Sequence, residues 1–267
     1  MTSGEGVVDD LERRLGAGCE SARKLLVPFL TAGHPDLGSS ARALAALAEA
    51  GVDAIELGVP FSDPLADGPV IAAASERALA GGMTLARALG LAAERPAGGP
   101  PLVLFTYLNP LHAYGYARAA ADLARTGFAG ALVADLPFDE GPEVRAALEA
   151  EGLPLVALAA PTTPLPRLRA LARAARGFVY LVARTGVTGA GSGTDRRLTD
   201  QVRILREETE LPIVIGFGIA DPDAARRAAR AADGIVVGSA FVERLERDGV
   251  GPAVEWMAAL RRAIDTA

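Results

Sequence analysis

Short apolar runs and longer segments of helical period take turns along the whole chain. The apolar runs fall at Leu25–Leu30, Ala54–Leu57, Leu102–Phe105, Ala131–Val133, Leu155–Leu158, Phe178–Val182, Ile213–Ile215 and Ile235–Val237, eight in all. Several are introduced by turn formers, namely Gly51, Pro101, Gly130, Pro154, Gly177, Pro212 and Gly234, which is the punctuation expected of strands. Helical spacing marks Ser39–Ala50, Ala117–Thr126, Glu140–Glu151, Pro166–Ala175, Ala224–Ala232 and Ala253–Ile264. A further helix is predicted from about Pro69. Strand–helix alternation repeated in this way predicts parallel strands joined by right-handed crossovers. Eight units are the number that closes a barrel. The predicted fold is therefore α/β, a single (β/α)8 TIM barrel over residues 1–267 with an extra N-terminal helix. An open doubly wound sheet is the competing arrangement. It calls for Gly-x-Gly-x-x-Gly after the first strand, where this chain has Thr31-Ala32-Gly33-His34-Pro35. The most loop-like stretch, Ala97 to Pro101, falls inside a strand–helix unit and divides nothing.

Composition narrows the chemistry. The 267 residues carry 27 basic and 33 acidic side chains, a formal net charge of −6, and only 5% aromatics. An acidic balance does not suit a nucleic-acid surface, which needs a basic patch. No segment approaches the roughly 20 apolar residues of a membrane span, and Met1 to Asp10 lacks the basic start and apolar core of a signal peptide, so a cytoplasmic location is expected. One cysteine, Cys19, excludes an internal disulfide framework and a thiolate metal cluster. His34 and His112 are too few for a multi-histidine metal centre. His34 reads as a surface residue. Lys24 is the sole lysine and lies just before the first strand, at the wrong end of a barrel for a Schiff-base aldolase. What remains is carboxylate chemistry.

In such a barrel the active groups sit at the C-terminal strand ends and the loops that follow. There the chain places Thr31, Glu56, Ser62–Asp67, Asn109, Asp135, Arg184–Thr188, Gly218 and Ser239. Side chains alternate along a strand, so Ile55 and Leu57 face the helices while Ala54 and Glu56 face the lumen. A carboxyl there is partly desolvated, its pKa is raised, and it suits proton exchange near neutral pH. The other reading is a glutamate paired with an arginine at the rim. Asp67 precedes a helix start at Pro69, and both a functional role and ordinary helix capping fit that position.

The segment Ile55-Glu56-Leu57-Gly58-Val59-Pro60-Phe61-Ser62-Asp63-Pro64-Leu65-Ala66-Asp67-Gly68-Pro69 resembles the signature of the tryptophan synthase alpha subunit family. Further similarities run through the chain: Pro28 to Gly33, Thr106 to Pro110, Leu132 to Pro137, Arg184 to Gly189, Gly216 to Ile219, and Gly238 to Ala240. The resemblance implies retro-aldol cleavage of indole-3-glycerol phosphate to indole and glyceraldehyde 3-phosphate. It assigns Glu56 as the proton shuttle between indole C3 and the side-chain hydroxyl, and Asp67 as the stabiliser of charge at N1. Tyr180 matches a tyrosine near the substrate, with a buried barrel-wall tyrosine as the other reading. Thr188 matches a threonine that hydrogen-bonds the aspartate on closure. Its loop, Gly186 to Gly193, holds four glycines, which suits a lid that orders on binding.

Phosphate is expected on Gly189, Gly218, Gly238 and Ser239, since backbone N–H groups at helix N-termini hold phosphate without a cation and barrels use the loops after strands seven and eight for it. The helix start at Asp221-Pro222 is part of this expectation. Val237 stands where some family members have serine, which would remove one hydroxyl contact. The implied indole pocket is Phe29, Phe105, Leu132, Ala134, Leu158 and Phe217. Asp63, Thr188 and Arg184 are the implied lid and coupling residues, and the loops around Asp63 and Asn109 the implied meeting place with a beta subunit. The resemblance implies no cofactor in this chain, pyridoxal phosphate in the beta partner, and an alpha2beta2 complex. A stand-alone lyase releasing free indole shares these motifs. So does a non-catalytic activator of a beta subunit, against which the intact Glu56 and Asp67 argue.

Overall fold

The structure is a computed structural model and describes residues 11–16, 23–96, 98–183, 192–216 and 218–267. Its eight strands are β1 (Leu25–Thr31), β2 (Ile55–Gly58), β3 (Leu102–Thr106), β4 (Phe128–Val133), β5 (Ala157–Ala159), β6 (Val179–Val182), β7 (Ile213–Gly216) and β8 (Gly234–Val237). They form one parallel sheet in the order β4-β3-β2-β1-β8-β7-β6-β5. The two ends of that order meet through a bridge between Ala131 and Leu155, with Ala131 N donating to Pro154 O at 3.0 Å and Val156 N to Ala131 O at 2.8 Å. The barrel thereby closes. In β1, Leu25 to Pro28 register with β8 and Phe29 to Thr31 with β2, so Pro28 sits where the pairing changes sides.

The outer layer consists of α2 (Leu37–Leu47), α3 (Pro69–Ala80), α4 (Leu85–Ala93), α5 (Leu108–Tyr114), α6 (Tyr116–Arg125), α7 (Pro142–Ala150), α8 (Leu165–Ala174), α9 (Ser192–Glu208), α10 (Pro222–Ala231), α11 (Ser239–Asp248) and α12 (Val250–Ile264). The predicted strands and helices are all present, with ends moved by a few residues. Sequence periodicity missed α4, α5, α9 and α11. Helices α5 and α11 begin directly at strand-end motifs, where polar residues of the site interrupt the apolar repeat. Among the described residues no helix is long and apolar enough to cross a membrane.

Two cores lie on opposite sides of the strand wall. Leu30, Ile55, Leu57 and Leu104 pack outward against the helices, while Val27, Ala54, Val103, Leu132, Phe178, Val214 and Val236 fill the lumen. The expected N-terminal helix is described over residues 11–16, here α1. Its Leu11 and Leu15 are fully buried in the lumen cluster, and Glu12 accepts a hydrogen bond from Gly177 N at 2.8 Å. Helix α1 thus plugs the end of the barrel where the strands begin. At that same end Arg261 of α12 and Arg23 both bind Asp53, at 2.9 and 2.5 Å, and Lys24 Nζ donates to Ala232 O at 2.8 Å. The sole lysine is therefore occupied far from the strand ends where chemistry is expected.

If the plug stabilises the barrel, Leu11→Ala should cost about 2–5 kcal/mol, read as a lower urea midpoint with an unchanged slope. An unchanged midpoint would show that the lumen is sealed without it.

Candidate active site

Strand β2 places the first functional group. Ile55 and Leu57 lie in the outer core and Ala54 in the lumen, so the alternation turns Glu56 inward. Glu56 is fully buried, and neither carboxyl oxygen makes a hydrogen bond. No ion pair reaches it among the described residues. Burial alone pushes its carboxyl up to about 8, because a charge there has nothing to replace its hydration.

Glu56 opens into a cavity of about 410 Å³ at the C-terminal strand ends, lined also by Phe29, Asp67, Ile71, Phe105, Ala134, Leu158, Tyr180, Gly218, Gly238 and Ser239. That size holds a compact aromatic phosphate ester. Asp67 enters from the loop after β2. Helix α3 takes Gly68 as its N-cap and has no side-chain capping bond, so the Asp67 carboxylate is not occupied in capping. Burial raises Asp67 to about 6, against the opposing pull of a hydrogen bond from the Tyr107 hydroxyl. That hydroxyl also accepts from Ala66 N at 3.0 Å. Tyr107 therefore holds both the loop and its carboxylate, and its ring packs on Phe61 with centroids 5.1 Å apart.

Tyr180 stands on β6 in register with Val214 of β7. Its phenol is pushed well above its ordinary value by burial first and then by Glu56 and Asp67, so it remains a neutral hydroxyl. Two glycines make room for the aromatic lining. A Cβ on Gly216 would lie 2.3 Å from the Tyr180 hydroxyl, and one on Gly58 would lie 2.4 Å from the Phe29 ring. Phe29 in turn meets Phe105 edge-on, centroids 5.2 Å apart. Phe29, Phe105, Ala134 and Leu158 thus form an apolar wall of the cavity.

At the other end of the cavity Gly238 and Ser239 open α11. Gly238 is its N-cap, with no side-chain capping bond, so the first backbone N–H groups of the helix have no side-chain acceptor. The start of α10 differs. There Asp221 accepts from Ala224 N at 2.8 Å, a carboxylate already fills the anion position, and the expectation of phosphate at that helix start is withdrawn.

Three further expectations are corrected. Leu132 is fully buried within the lumen cluster and does not line the cavity, because its place on β4 is deeper than Ala134. Val237 packs in the outer core against the helices, so a hydroxyl at that position would not face the cradle. His34 is fully buried rather than exposed, because its loop folds beneath α3 and α11. Asp63 is exposed, bound to Ser62 Oγ at 2.5 Å, and Asn109 is exposed on α5; neither lines the cavity. Arg184, Thr188, Gly189 and Phe217 lie outside the described residues, as does the Gly186–Gly193 segment up to the start of α9. Sequence reading missed Tyr107, Ile71, Val182 and Ala183. Tyr107 carried a signal, a tyrosine following a strand end, but its use for Asp67 depends on how two loops meet.

The model of the tryptophan synthase alpha chain family matches residues 17–263. The chain belongs to the tryptophan synthase alpha chain family. It is 48% identical over 228 residues to the tryptophan synthase alpha chain of Geobacter sulfurreducens, covering 85% of this chain and 86% of that one. To the alpha chain of Laribacter hongkongensis it is 45% identical over 260 residues, covering 96% and 98%. Among solved structures, ligand-free tryptophan synthase from M. tuberculosis superposes with a TM-score of 0.87 at 33% identity, covering 96% of this chain and 98% of that one. The alpha subunit from Legionella pneumophila gives 0.87 at 31% identity, covering 96% and 98%. For an alpha chain, the pairing of Tyr107 with Asp67 has a measurable consequence. Tyr107→Phe removes the bond that holds the Asp67 carboxylate down, so the acid limb of kcat/KM should move to higher pH while ring packing on Phe61 is kept. An unmoved limb would show that the hydroxyl does not act on Asp67.

Proposed function

We propose that Glu56, Asp67 and Tyr180 carry the retro-aldol step of the tryptophan synthase alpha reaction, the cleavage of indole-3-glycerol phosphate to indole and glyceraldehyde 3-phosphate. The family is a lyase of tryptophan biosynthesis; its alpha chain uses no cofactor and works with a beta subunit that holds pyridoxal phosphate. The observation that carries the assignment is a pair of carboxyls whose surroundings push them apart, Glu56 to about 8 and Asp67 to about 6. At neutral pH the first is mostly a neutral acid and the second mostly an anion, which is how one site supplies two roles.

The Glu56 carboxyl donates its proton to indole C3. The positive charge this leaves on the ring is shared by N1–H, which the Asp67 carboxylate faces and stabilises. The Glu56 carboxylate then takes the proton of the hydroxyl on the adjacent side-chain carbon. That oxygen becomes the aldehyde carbonyl, the C–C bond breaks, and its electron pair restores the aromatic ring. Glu56 is left protonated for the next turnover. Tyr180, a neutral hydroxyl lining the same cavity as the two carboxyls, orients the substrate side chain. Phe29, Phe105, Ala134 and Leu158 take the indole ring. The N-terminus of α11, with Gly238, Ser239 and neighbouring Gly218, takes the phosphate. Gly189 and Phe217 are proposed to complete these subsites, and Thr188, Arg184 and Asp63 to serve closure and coupling.

The exposed loop around Asp63 and Asn109, with Leu65 96% exposed, is the surface we assign to the beta subunit in an alpha2beta2 complex. The chain is proposed to act as one domain over residues 1–267. The cytoplasm is the proposed compartment, in keeping with a single cysteine that has no partner within the chain.

Glu56→Gln keeps the shape of the side chain and removes its acid. It should lower indole formation by about 10²- to 10⁴-fold with an unchanged far-ultraviolet dichroism spectrum; unchanged turnover would overturn the assignment. For the unaltered protein, kcat/KM should be bell-shaped. Activity falls below about 6 as Asp67 is protonated and above about 8 as Glu56 ionises. A flat profile across that range would refute the division of roles.

A further inference from the structure

Beside the cavity, α3 and α11 pack together over β1 along a seam with a polar far end. Val242 of α11, Ala74 of α3 and Phe29 of β1 form its buried middle, with Val70 and Ile71 alongside. Its near end is the active site, where Ser239 and Ile71 line the cavity. Ser239, Val242 and Glu246 share one face of α11, and Val70, Ala74 and Arg77 share one face of α3, at helical spacing. At the far end Arg77 Nη2 binds Glu246 Oε2 at 2.6 Å. His34 lies against this pair, its Nε2 3.9 Å from the same Glu246 oxygen. The imidazole is fully buried and neither ring nitrogen makes a hydrogen bond, an unusual state for a polar ring. Glu246 follows Ser239 by seven residues, about 10 Å along the helix, so a group that shifts this end of α11 moves the N-terminus of the same rigid element.

We propose that His34 is a positioning residue for the phosphate cradle: its neutral ring lets α3 and α11 close around it, and a proton on it opens their seam and draws the start of α11 out of place. The inference rests on the reading of Gly238 and Ser239 as the phosphate site. Among the described residues two charged groups bear on the ring, Glu246 from α11 and Arg77 from α3, together with the backbone of Val242. Burial acts first and holds the ring's pKa below its ordinary value; Glu246 and Val242 pull it up and Arg77 pushes it down. The packed seam therefore favours the neutral ring. Acid protonates a group that the closed arrangement cannot solvate, since its carboxylate neighbour is already engaged by Arg77. By reciprocity, whatever stabilises the cradle must make His34 harder to protonate.

The chain has only two histidines, and His112 lies exposed on α5 beside Tyr116, so the whole protein labelled at histidine reports His34 directly. Ring resonances are followed by NMR from pH 5 to 8, assigned with His112→Gln, without and with saturating sulfate. Sulfate stays a dianion throughout, so its own titration does not enter. The amides of Ser239 and Ala240 report whether it sits in the cradle. We expect His34 to titrate below the ordinary imidazole range and saturating sulfate to lower it by a further half unit or so, about a threefold coupling. His34→Asn should abolish the matching loss of sulfate affinity on acidification. A nearby dianion acting only through space would raise the ring's pKa, so the sign decides. A rise, or no change, while the Ser239 and Ala240 amides shift would overturn the coupling and leave the phosphate reading intact. Amides that stay still at saturating sulfate would overturn the phosphate reading and the coupling with it.

Discussion

An unpaired carboxyl buried inside a barrel is the constraint on which the rest of this molecule depends. Among the described residues Glu56 has neither a hydrogen bond nor a charge partner, and its burial pushes the carboxyl up to about 8. A flexible scaffold would relieve this by letting water or an arginine approach. The closed sheet leaves only the cavity side open to approach, because β2 is paired on both sides, with β1 and β3, and the lumen below Glu56 is filled with side chains down to the plug of α1. The cost of an unsatisfied carboxyl is offset by a large apolar core, and the proton it keeps is the one we propose the reaction uses.

The opposing behaviour of Asp67 comes from its position on a loop rather than a strand. It is less deeply buried, and Tyr107 from the neighbouring unit gives its carboxylate a hydrogen bond, so it ionises first. Two carboxyls eleven positions apart in sequence thereby differ by about two units. Space for the substrate is made mainly by omission: Gly58 yields to the Phe29 ring and Gly216 to Tyr180. A side chain at either glycine would collide with an aromatic that lines the cavity, in a chain with few aromatics.

Much of this was legible beforehand for a physical reason. The strand period points Glu56 inward whatever surrounds it, and eight apolar runs between helical segments leave few arrangements other than a barrel. Strand centres were found because apolar runs mark them. Helices α5 and α11 were not, since they begin inside strand-end motifs whose residues serve the site rather than the helix repeat. Leu132 and Val237 were misplaced because a motif names residues but not depth or direction. Strand alternation shows that Val237 points outward and that Leu132 lies one layer below Ala134. His34 was misread because a polar residue in a loop ordinarily faces solvent, and only packing reveals that two helices cover this one.

The sequence by itself determined the fold class, the scarcity of lysine, cysteine and histidine, and the placing of Glu56 on a strand and Asp67 in the loop after it, because each of these follows from local period, composition or an unbroken motif. Tertiary structure alone decided what state those carboxylates adopt, which helix start is open to an anion, and where His34 lies. These are matters of burial and of partners brought together from distant parts of the chain. The Asp221 carboxylate closes one helix start and leaves that of α11 open, Tyr107 reaches Asp67 across forty positions, and Glu246 and Arg77 meet over His34 from opposite ends of the sequence. A carboxyl's pKa is set by what surrounds it in space, and that neighbourhood exists only once the barrel has closed.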